Sequence, residues 1–225
     1  MYAASGVLAV QTDLGISIVP ANRVAWTPAT FRHRHRAHGD TDMRIVFLTP
    51  ALARGLPDHP VVFQASTLAR EVLLATTEPS SNDASTTRTA AAHNRLLRVL
   101  IDELREADEQ PLHMPEPRDD RLLAIARMLQ DDPADNASLA ELGRTVGASA
   151  RTLSRLLRNE LGMTFHEWRT QIRIYHALVL LADGHDITRT AHACGWSNPS
   201  SFIAAFTNLV GTTPGRHRND RRVAQ

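Results

Sequence analysis

The chain has 225 residues, 43% of them hydrophobic, and a formal net charge of +1. This length and composition predict a folded protein of one large domain or two small ones. No run of about 18 apolar residues occurs, so no membrane helix is expected. The short apolar run at the N-terminus lacks the preceding basic residues of a secretory signal. Cys194 is the single cysteine, which excludes an internal disulfide and favours a cytoplasmic location.

Charge is distributed unevenly along the chain. All 25 basic residues are arginine, which genomic base composition can partly explain. Residues 1–117 hold 11 arginines and 13 acidic residues, a net charge of −2. Residues 118–225 hold 14 arginines and 11 acidic residues, a net charge of +3. The basic excess at the C-terminal end points to a polyanionic partner there.

The first part of the chain has the pattern of strands and turns. Alternating or β-branched runs occur in GVLAVQTD, GISIVP and MRIVFLTP, and prolines recur between them. ASTLAREVLLATTE then predicts a helix, and the polar segment PSSNDASTT, residues 79–87, predicts a linker.

A second amphipathic helix is predicted in AAAHNRLLRVLIDELREA. Its apolar face carries Leu96, Leu97, Leu100, Ile101 and Leu104. That face must pack against this chain's own domains or against a second copy, so we predict a dimerisation helix. The proline-containing segment EQPLHMPEP ends the helix and marks a domain boundary, which makes residues 79–117 a linker and dimerisation helix.

Everything after residue 118 predicts helices with clear start and stop signals. Ser138, followed three residues later by Glu141, predicts a capping box for LAELGRTV. Gly147 ends that helix and Ser149 caps ARTLSRLLRNEL. A long helix follows in FHEWRTQIRIYHALVLLA.

Two segments of this half echo each other. LAELGRTV-GAS-ARTLSRLLRNELG and ITRTAHAC-GWS-NPSSFIAAFTNLVG each show a short helix, a glycine turn and a longer helix. This is the signature of a helix-turn-helix, here predicted at residues 139–161 and 187–210. The joining helix of about 18 residues would span roughly 27 Å. Its length is comparable with one turn of B-DNA, about 34 Å, so two recognition helices could enter successive major grooves.

Residues 119–218 resemble the DNA-binding domain of the AraC/XylS family of transcription regulators, most clearly in ACGW-SNPSSF-IAAF-TNLVG-TTPGRHR. The resemblance implies a sequence-specific transcription regulator, with its DNA-binding domain at residues 118–220. It implies double-stranded promoter DNA as partner, a homodimer and a nucleoid-associated location. His217 stands where the family usually has an aromatic residue, and Thr190 where it usually has an aliphatic one. Both departures could loosen the packing of the second unit.

Candidate DNA contacts follow from the helical pattern of the two recognition helices. The first predicts Arg151, Ser154, Arg155 and Arg158 on its outer face, after Ser149 at its start. An arginine can bond guanine O6 and N7 together. The alternative is a solvated basic face with pairing along the helix, for example of Arg155 with Asn159.

The second recognition helix has no charged residue on its outer face and should mainly position the protein on DNA. The candidate contacts in and just before it are Ser197, Asn198, Ser200, Ser201 and Ala204, with Pro199 and Asn208 also outward. We expect the first unit to supply most base specificity. The aromatic residues Trp168, Trp196, Phe202 and Phe206 are expected in the core, and Cys194 is expected to be buried.

The segment GISIVPANRVAWTPATFRHRHRAHGDTDMRIVFLTP resembles the second half of a cupin barrel, the sensor module of many AraC/XylS proteins. The resemblance is to the NimR-type branch, and rests on Pro20, Trp26, Pro28 and His33. It implies a partial cupin-like regulatory domain at residues 1–78, with Trp26 and His33 in the effector pocket of a small molecule. The earlier cupin motif that supplies further metal ligands does not precede residue 33, which indicates either a true truncation or a misassigned start.

His33, His35 and His38 raise a second possibility, a metal-dependent cupin enzyme with a helical appendage. On a strand, His33 and His35 face one side, whereas His38 is expected in a turn beside Gly39. Three arginines alternate with these histidines and would repel a cation, so we predict that the segment does not form a metal site. We also predict that the protein has no cofactor and is not an enzyme. The predicted fold is α+β. It consists of an N-terminal partial cupin β-barrel, an amphipathic linker helix and a C-terminal all-α domain with two helix-turn-helix units joined by a long helix.

Overall fold

The computed structural model describes residues 1–78 and 89–222; the predicted linker at residues 79–87 lies outside them. The strands are β1 (Tyr2–Ala3), β2 (Val7–Thr12), β3 (Gly15–Pro20), β4 (Arg23–Trp26), β5 (His33–His38), β6 (Met43–Arg44), β7 (Val61–Gln64), β8 (Glu109–Gln110) and β9 (His113–Pro115). The helices are α1 (Thr67–Thr77), α2 (Ala90–Glu106), α3 (Asp120–Asp131), α4 (Leu139–Thr145), α5 (Ala150–Leu161), α6 (Phe165–Ala182), α7 (Ile187–Ala193), α8 (Pro199–Val210) and α9 (Pro214–Arg222).

The described strands form two antiparallel sheets. The first has the order β6-β1-β4-β7-β8 and the second the order β5-β2-β3-β9. In the first sheet Val24 pairs with Phe63, and the next pair, Ala25 with Val62, points to the opposite face. Val24 and Phe63 pack against α1 and α2, whereas Ala25 and Val62 pack in a cluster with the second sheet. The N-terminal part is therefore a two-sheet sandwich covered on one side by two helices.

The other side of the sandwich is covered by the C-terminal helices. Val7 and Ala9 of β2 share one buried cluster with Leu178 of α6 and with Phe202 and Phe206 of α8. A different cluster joins α3, α4, α5 and the first half of α6. The two helix pairs of the C-terminal half thus have separate cores. The core of the second pair contains buried residues of β2 and β3, whereas the core of the first pair contacts the sheet through the partly buried Met114 of β9.

Helix α2 covers its apolar stripe within its own chain. Leu97, Leu100, Ile101 and Leu104 are buried, and Leu100 and Leu104 pack with Val72 of α1. Of the two partners that the sequence left open for this face, the structure therefore supplies the chain's own sheet and helix.

Three expectations for the N-terminal part are wrong. MRIVFLTP forms a strand only at Met43–Arg44, because the following residues find no strand partner in the described chain. His38 is the last residue of β5 and lies outside the predicted turn. EQPLHMPEP is not a plain linker, since it contains β8 and β9, which add to β7 and β3.

The C-terminal helices start where the sequence predicts. The Ser138 hydroxyl accepts from the Glu141 backbone while the Glu141 carboxylate accepts from the Ser138 backbone, which is the predicted capping box. Gly162 and Gly211 end α5 and α8 with φ of 70° and 79°, a conformation that favours glycine. Across residues 1–78 and 89–222, no helix has the length and hydropathy needed to cross a membrane.

Candidate nucleic-acid interface

Helices α4 and α5 are joined by a tight turn. The Ser149 Oγ accepts from the backbone N–H of Thr152 at 3.1 Å, which satisfies one free donor at the start of α5. Gly143 of α4 is buried against the carbonyl oxygen of Ala148, and the Gly143 carbonyl accepts from the Ala148 N–H at 2.8 Å. This close approach of two backbone segments fixes the angle between the helices.

Gly143→Ala is expected to destabilise this turn by about 2 kcal/mol or more, because a Cβ at residue 143 would overlap the Ala148 carbonyl oxygen. Urea unfolding should show the loss. Gly147→Asn is the matched control: Gly147 has φ of 69°, which asparagine tolerates, and a Cβ there would meet no atom within 4 Å. Equal stability of the two variants would contradict this role of Gly143.

The outer face of α5 is a row of polar and cationic side chains. Leu153, Leu157 and Leu161 are buried, as the helical pattern predicts. The predicted contact residues of this helix are exposed: Arg151, Ser154, Arg155 and Arg158. Together with Thr152 and Asn159 they line an open groove of about 550 Å³.

The guanidinium groups on this face have no partner in the described residues. None of Arg151, Arg155 and Arg158 has a side-chain hydrogen bond or ion pair with any described residue, so Arg155 does not pair with Asn159. The nearby acid Glu160 instead accepts from the backbone N–H groups of Arg118 and Asp119. The groove therefore offers three cations that are available to a polyanion.

Helix α8 presents a neutral outer face. Asn198 caps it, its Oδ1 accepting from the Ser201 N–H at 2.8 Å. Phe202 and Phe206 are fully buried, and Pro199 is half-buried. The exposed residues at and before this helix include all five predicted ones: Ser197, Asn198, Ser200, Ser201 and Ala204.

Sequence reasoning missed Ile203 on the same face. It is 36% exposed, whereas Phe202, Phe206 and Val210 of the same helix are buried. In the sequence, Ile203 lies between the buried Phe202 and the exposed Ala204, so it falls at the edge of the outer face. The helical period of the apolar residues could have shown this placement. Its methyl groups suit contact with an apolar surface such as a thymine methyl.

The two departures from the expected pattern have different consequences. The His217 ring packs at 5.9 Å from the Phe206 ring and is only 8% exposed, so it fills the place of an aromatic residue. Thr190 is fully buried on α7, and its hydroxyl has no hydrogen-bond partner among the described residues. A buried hydroxyl without a partner lowers the stability of the fold.

Arg173 connects the two helix pairs. Its Nε donates to the Pro133 carbonyl at 2.9 Å and its Nη2 to the Asp135 carbonyl at 3.0 Å, in the segment before α4. Its Nη1 donates to the Gly195 carbonyl at 3.3 Å, in the turn between α7 and α8. The guanidinium carbon lies 5.7 Å from the Trp196 ring centre. One side chain of α6 thus holds the turn of the second pair against the first.

The remaining core predictions can be checked directly. Trp168, Phe202 and Phe206 are buried as expected, whereas Trp196 is half-buried. Cys194 is fully buried, and burial raises the pKa of its thiol to about 12, so the thiol stays protonated. These residues position the candidate interface without belonging to it.

The residues predicted for an effector pocket are not brought together. Trp26 lies on β4 and packs with the cluster on the helix side of its sheet, where its indole N–H donates to the Pro57 carbonyl at 2.7 Å. His33 is exposed on β5 of the other sheet. Within the described chain, no three His, Cys, Asp or Glu side chains are grouped closely enough to hold a metal ion. These placements do not favour one pocket formed by both residues, and an effector site at Trp26 and His33 stays a prediction.

Comparisons with known proteins found similarity to helix-turn-helix proteins. Residues 142–220 match a family described as a helix-turn-helix domain. The HTH-type transcriptional regulator NimR of Escherichia coli is 27% identical over 217 residues, which are 96% of this chain and 78% of NimR. RipA of Corynebacterium glutamicum, another HTH-type transcriptional regulator, is 40% identical over 101 residues, which are 45% of this chain and 30% of RipA. The crystal structure of the DNA-binding domain of AdpA in complex with a target DNA can also be superposed on part of this chain. The alignment covers 47% of this chain and 96% of the AdpA domain, at a TM-score of 0.44 and 21% identity.

Proposed function

We propose that this chain, whose C-terminal part is an AraC-type helix-turn-helix domain, regulates transcription by binding specific promoter DNA. The observation that carries the proposal is the outer face of α5, where three arginines without described partners line one groove on a helix held by a buried leucine stripe. A rigid helix with available guanidinium groups is the arrangement that reads guanine in a major groove.

The two helix pairs would bind DNA unequally. The residues that we expect to contact DNA from the first pair are Ser149, Arg151, Ser154, Arg155 and Arg158, and those from the second are Ser197, Asn198, Ser200, Ser201 and Ala204. The first set can form bidentate contacts with guanine, whereas the second can offer hydroxyl, amide and apolar contacts only. Helix α6 has 18 residues and would hold α5 and α8 for successive major grooves.

The N-terminal part is proposed to be a regulatory domain of cupin type at residues 1–78, followed by the linking segment 79–117 and the DNA-binding domain 118–220. Support for a sensor comes from the two antiparallel sheets and from the buried cluster that the second sheet shares with α8. A small molecule that changed the packing of this sheet would act directly on the second recognition helix.

A homodimer is proposed as the binding unit, acting on nucleoid DNA in the cytoplasm. Because the apolar stripe of α2 is covered within the chain, a dimer formed through α2 would use the outer face of that helix, where Val99 is 38% exposed. Sedimentation equilibrium of the full chain should give the mass of a dimer. Val99→Asp should shift the measured mass towards that of the monomer.

The function is tested by measuring affinity for a promoter fragment and for a scrambled duplex across a range of salt concentrations. We expect affinity to fall steeply with salt, because the arginines displace counterions from phosphates. We also expect the promoter fragment to bind more tightly than the scrambled duplex at each salt concentration. Salt-independent binding, or equal affinity for the two duplexes, would contradict the proposed function.

A further inference from the structure

A second cationic site lies where the sheet meets the end of α8. It is an open cavity of about 380 Å³ between the β3–β4 turn, the start of α1 and the segment that joins α8 to α9. Its walls therefore come from both halves of the chain. The cavity does not involve the predicted effector residues Trp26 and His33.

The lining of this cavity is suited to an anion. Arg23, Arg70 and Arg216 contribute guanidinium groups, and none of its described lining residues is aspartate or glutamate. Asn22 and Gln64 add side-chain amides to the same wall. Guanidinium groups bind carboxylate and phosphate oxygens through pairs of parallel hydrogen bonds, so convergent arginines favour this ligand chemistry.

Arg23 is held in a fixed orientation. It is 5% exposed, and its Nη2 donates to the Val210 carbonyl at 2.7 Å, at the last residue of α8. Its Nη1 donates to the Asn22 carbonyl at 3.3 Å. A buried guanidinium that is already oriented loses little side-chain freedom when a ligand binds. Since Arg70 also pairs with Glu71, Arg23 and Arg216 are the main determinants of the site.

We propose that this cavity binds a small molecule through a carboxylate or phosphate group, and that the bound anion ties the end of α8 to the sheet. Arg23 belongs to β4 and contacts α8, whereas Arg216 belongs to α9. An anion shared by the two arginines links β4 to α9, the helix that directly follows the second recognition helix, and so reinforces the Arg23 contact with the end of α8. The regulatory meaning of the site rests on the proposed function; binding of the anion does not.

The site is tested by isothermal titration of the full chain with inorganic phosphate and, separately, with succinate. The probe that binds more tightly shows whether the site prefers a phosphate or a carboxylate group. Arg216 is exposed, and its side chain has no hydrogen bond to a described residue, so Arg216→Gln should weaken binding by about tenfold or more, as expected for one charge-assisted hydrogen bond. Arg23→Gln should weaken it further, and Arg54→Gln, at an exposed position outside the lining of the cavity, should leave it unchanged.

Three outcomes would overturn the proposal. The first is that neither phosphate nor succinate binds saturably to the wild-type chain. The second is that Arg216→Gln binds the anion as tightly as the wild-type chain does. The third is that the anion and a DNA duplex compete for the same site. Anion binding and DNA binding are measured separately, so the two proposals can fail independently. If both hold, a saturating anion should change DNA affinity, and DNA should change anion affinity by the same factor.

Discussion

Replacing Arg173 with alanine is expected to lower the free energy of unfolding by about 3 kcal/mol. The variant loses four hydrogen bonds, including one of 2.9 Å from Nη2 to the Asn136 side chain. The cost stays below the sum for four charge-assisted bonds because water can reach the half-buried site. The variant should also bind a two-groove DNA site more weakly, since the second pair is no longer fixed relative to the first.

Urea unfolding followed by circular dichroism measures the effect. Arg173→Lys is the informative companion, because lysine keeps the charge but cannot reach both the Pro133 and Gly195 carbonyls with a planar fork. It should lose most of the same stability. Arg54→Ala, at an exposed position before Gly55, should change it by less than about 0.5 kcal/mol. Wild-type stability of Arg173→Lys would show that charge alone is sufficient.

Replacing Arg155 with alanine is expected to weaken specific DNA binding by about 1–3 kcal/mol, roughly 5- to 150-fold. Its guanidinium is exposed in the α5 groove and has no described intramolecular partner, so its removal should not disturb the fold. Specificity should relax at one base pair, because a single bidentate contact is lost.

Fluorescence anisotropy with the promoter fragment and with a set of single-base-pair variants separates these effects. Arg158→Ala serves as the comparison, since Arg158 lies two turns further along α5 than Arg151. Because Arg158 lies away from the N-terminal end of the helix, we expect it to contact a phosphate, and its loss should weaken binding to all DNA sequences alike. If Arg155→Ala also weakens every sequence equally, Arg155 is a phosphate contact and the predicted base readout is wrong.

The helices of the C-terminal half could be predicted because their signals are local. The capping box at Ser138 and Glu141, the cap at Ser149 and the glycines at residues 162 and 211 lie within a few residues of the turns that they stabilise. The leucine spacing of α5 likewise determines its exposed face. Local hydrogen bonds and a period of 3.6 residues are directly visible in a sequence.

The contacts between distant segments could not be predicted in the same way. β9 pairs with β3 across about a hundred residues, and His113 there lies 3.0 Å from the Ser17 hydroxyl. Nothing in EQPLHMPEP indicates this, because a three-residue edge strand has too few residues to show alternation. The contact of Arg23 with Val210 and the carbonyl bonds of Arg173 depend in the same way on tertiary packing.

The most direct test of DNA binding through two recognition helices is hydroxyl-radical footprinting of the full chain on the DNA that flanks its own gene. The proposed function predicts protection of a specific sequence in two stretches, about 10 base pairs apart and on one face of the duplex. It also predicts that Arg155→Ala reduces protection mainly in the stretch bound by the first helix pair. Protection without sequence preference, or no protection at salt concentrations that allow binding, would contradict it.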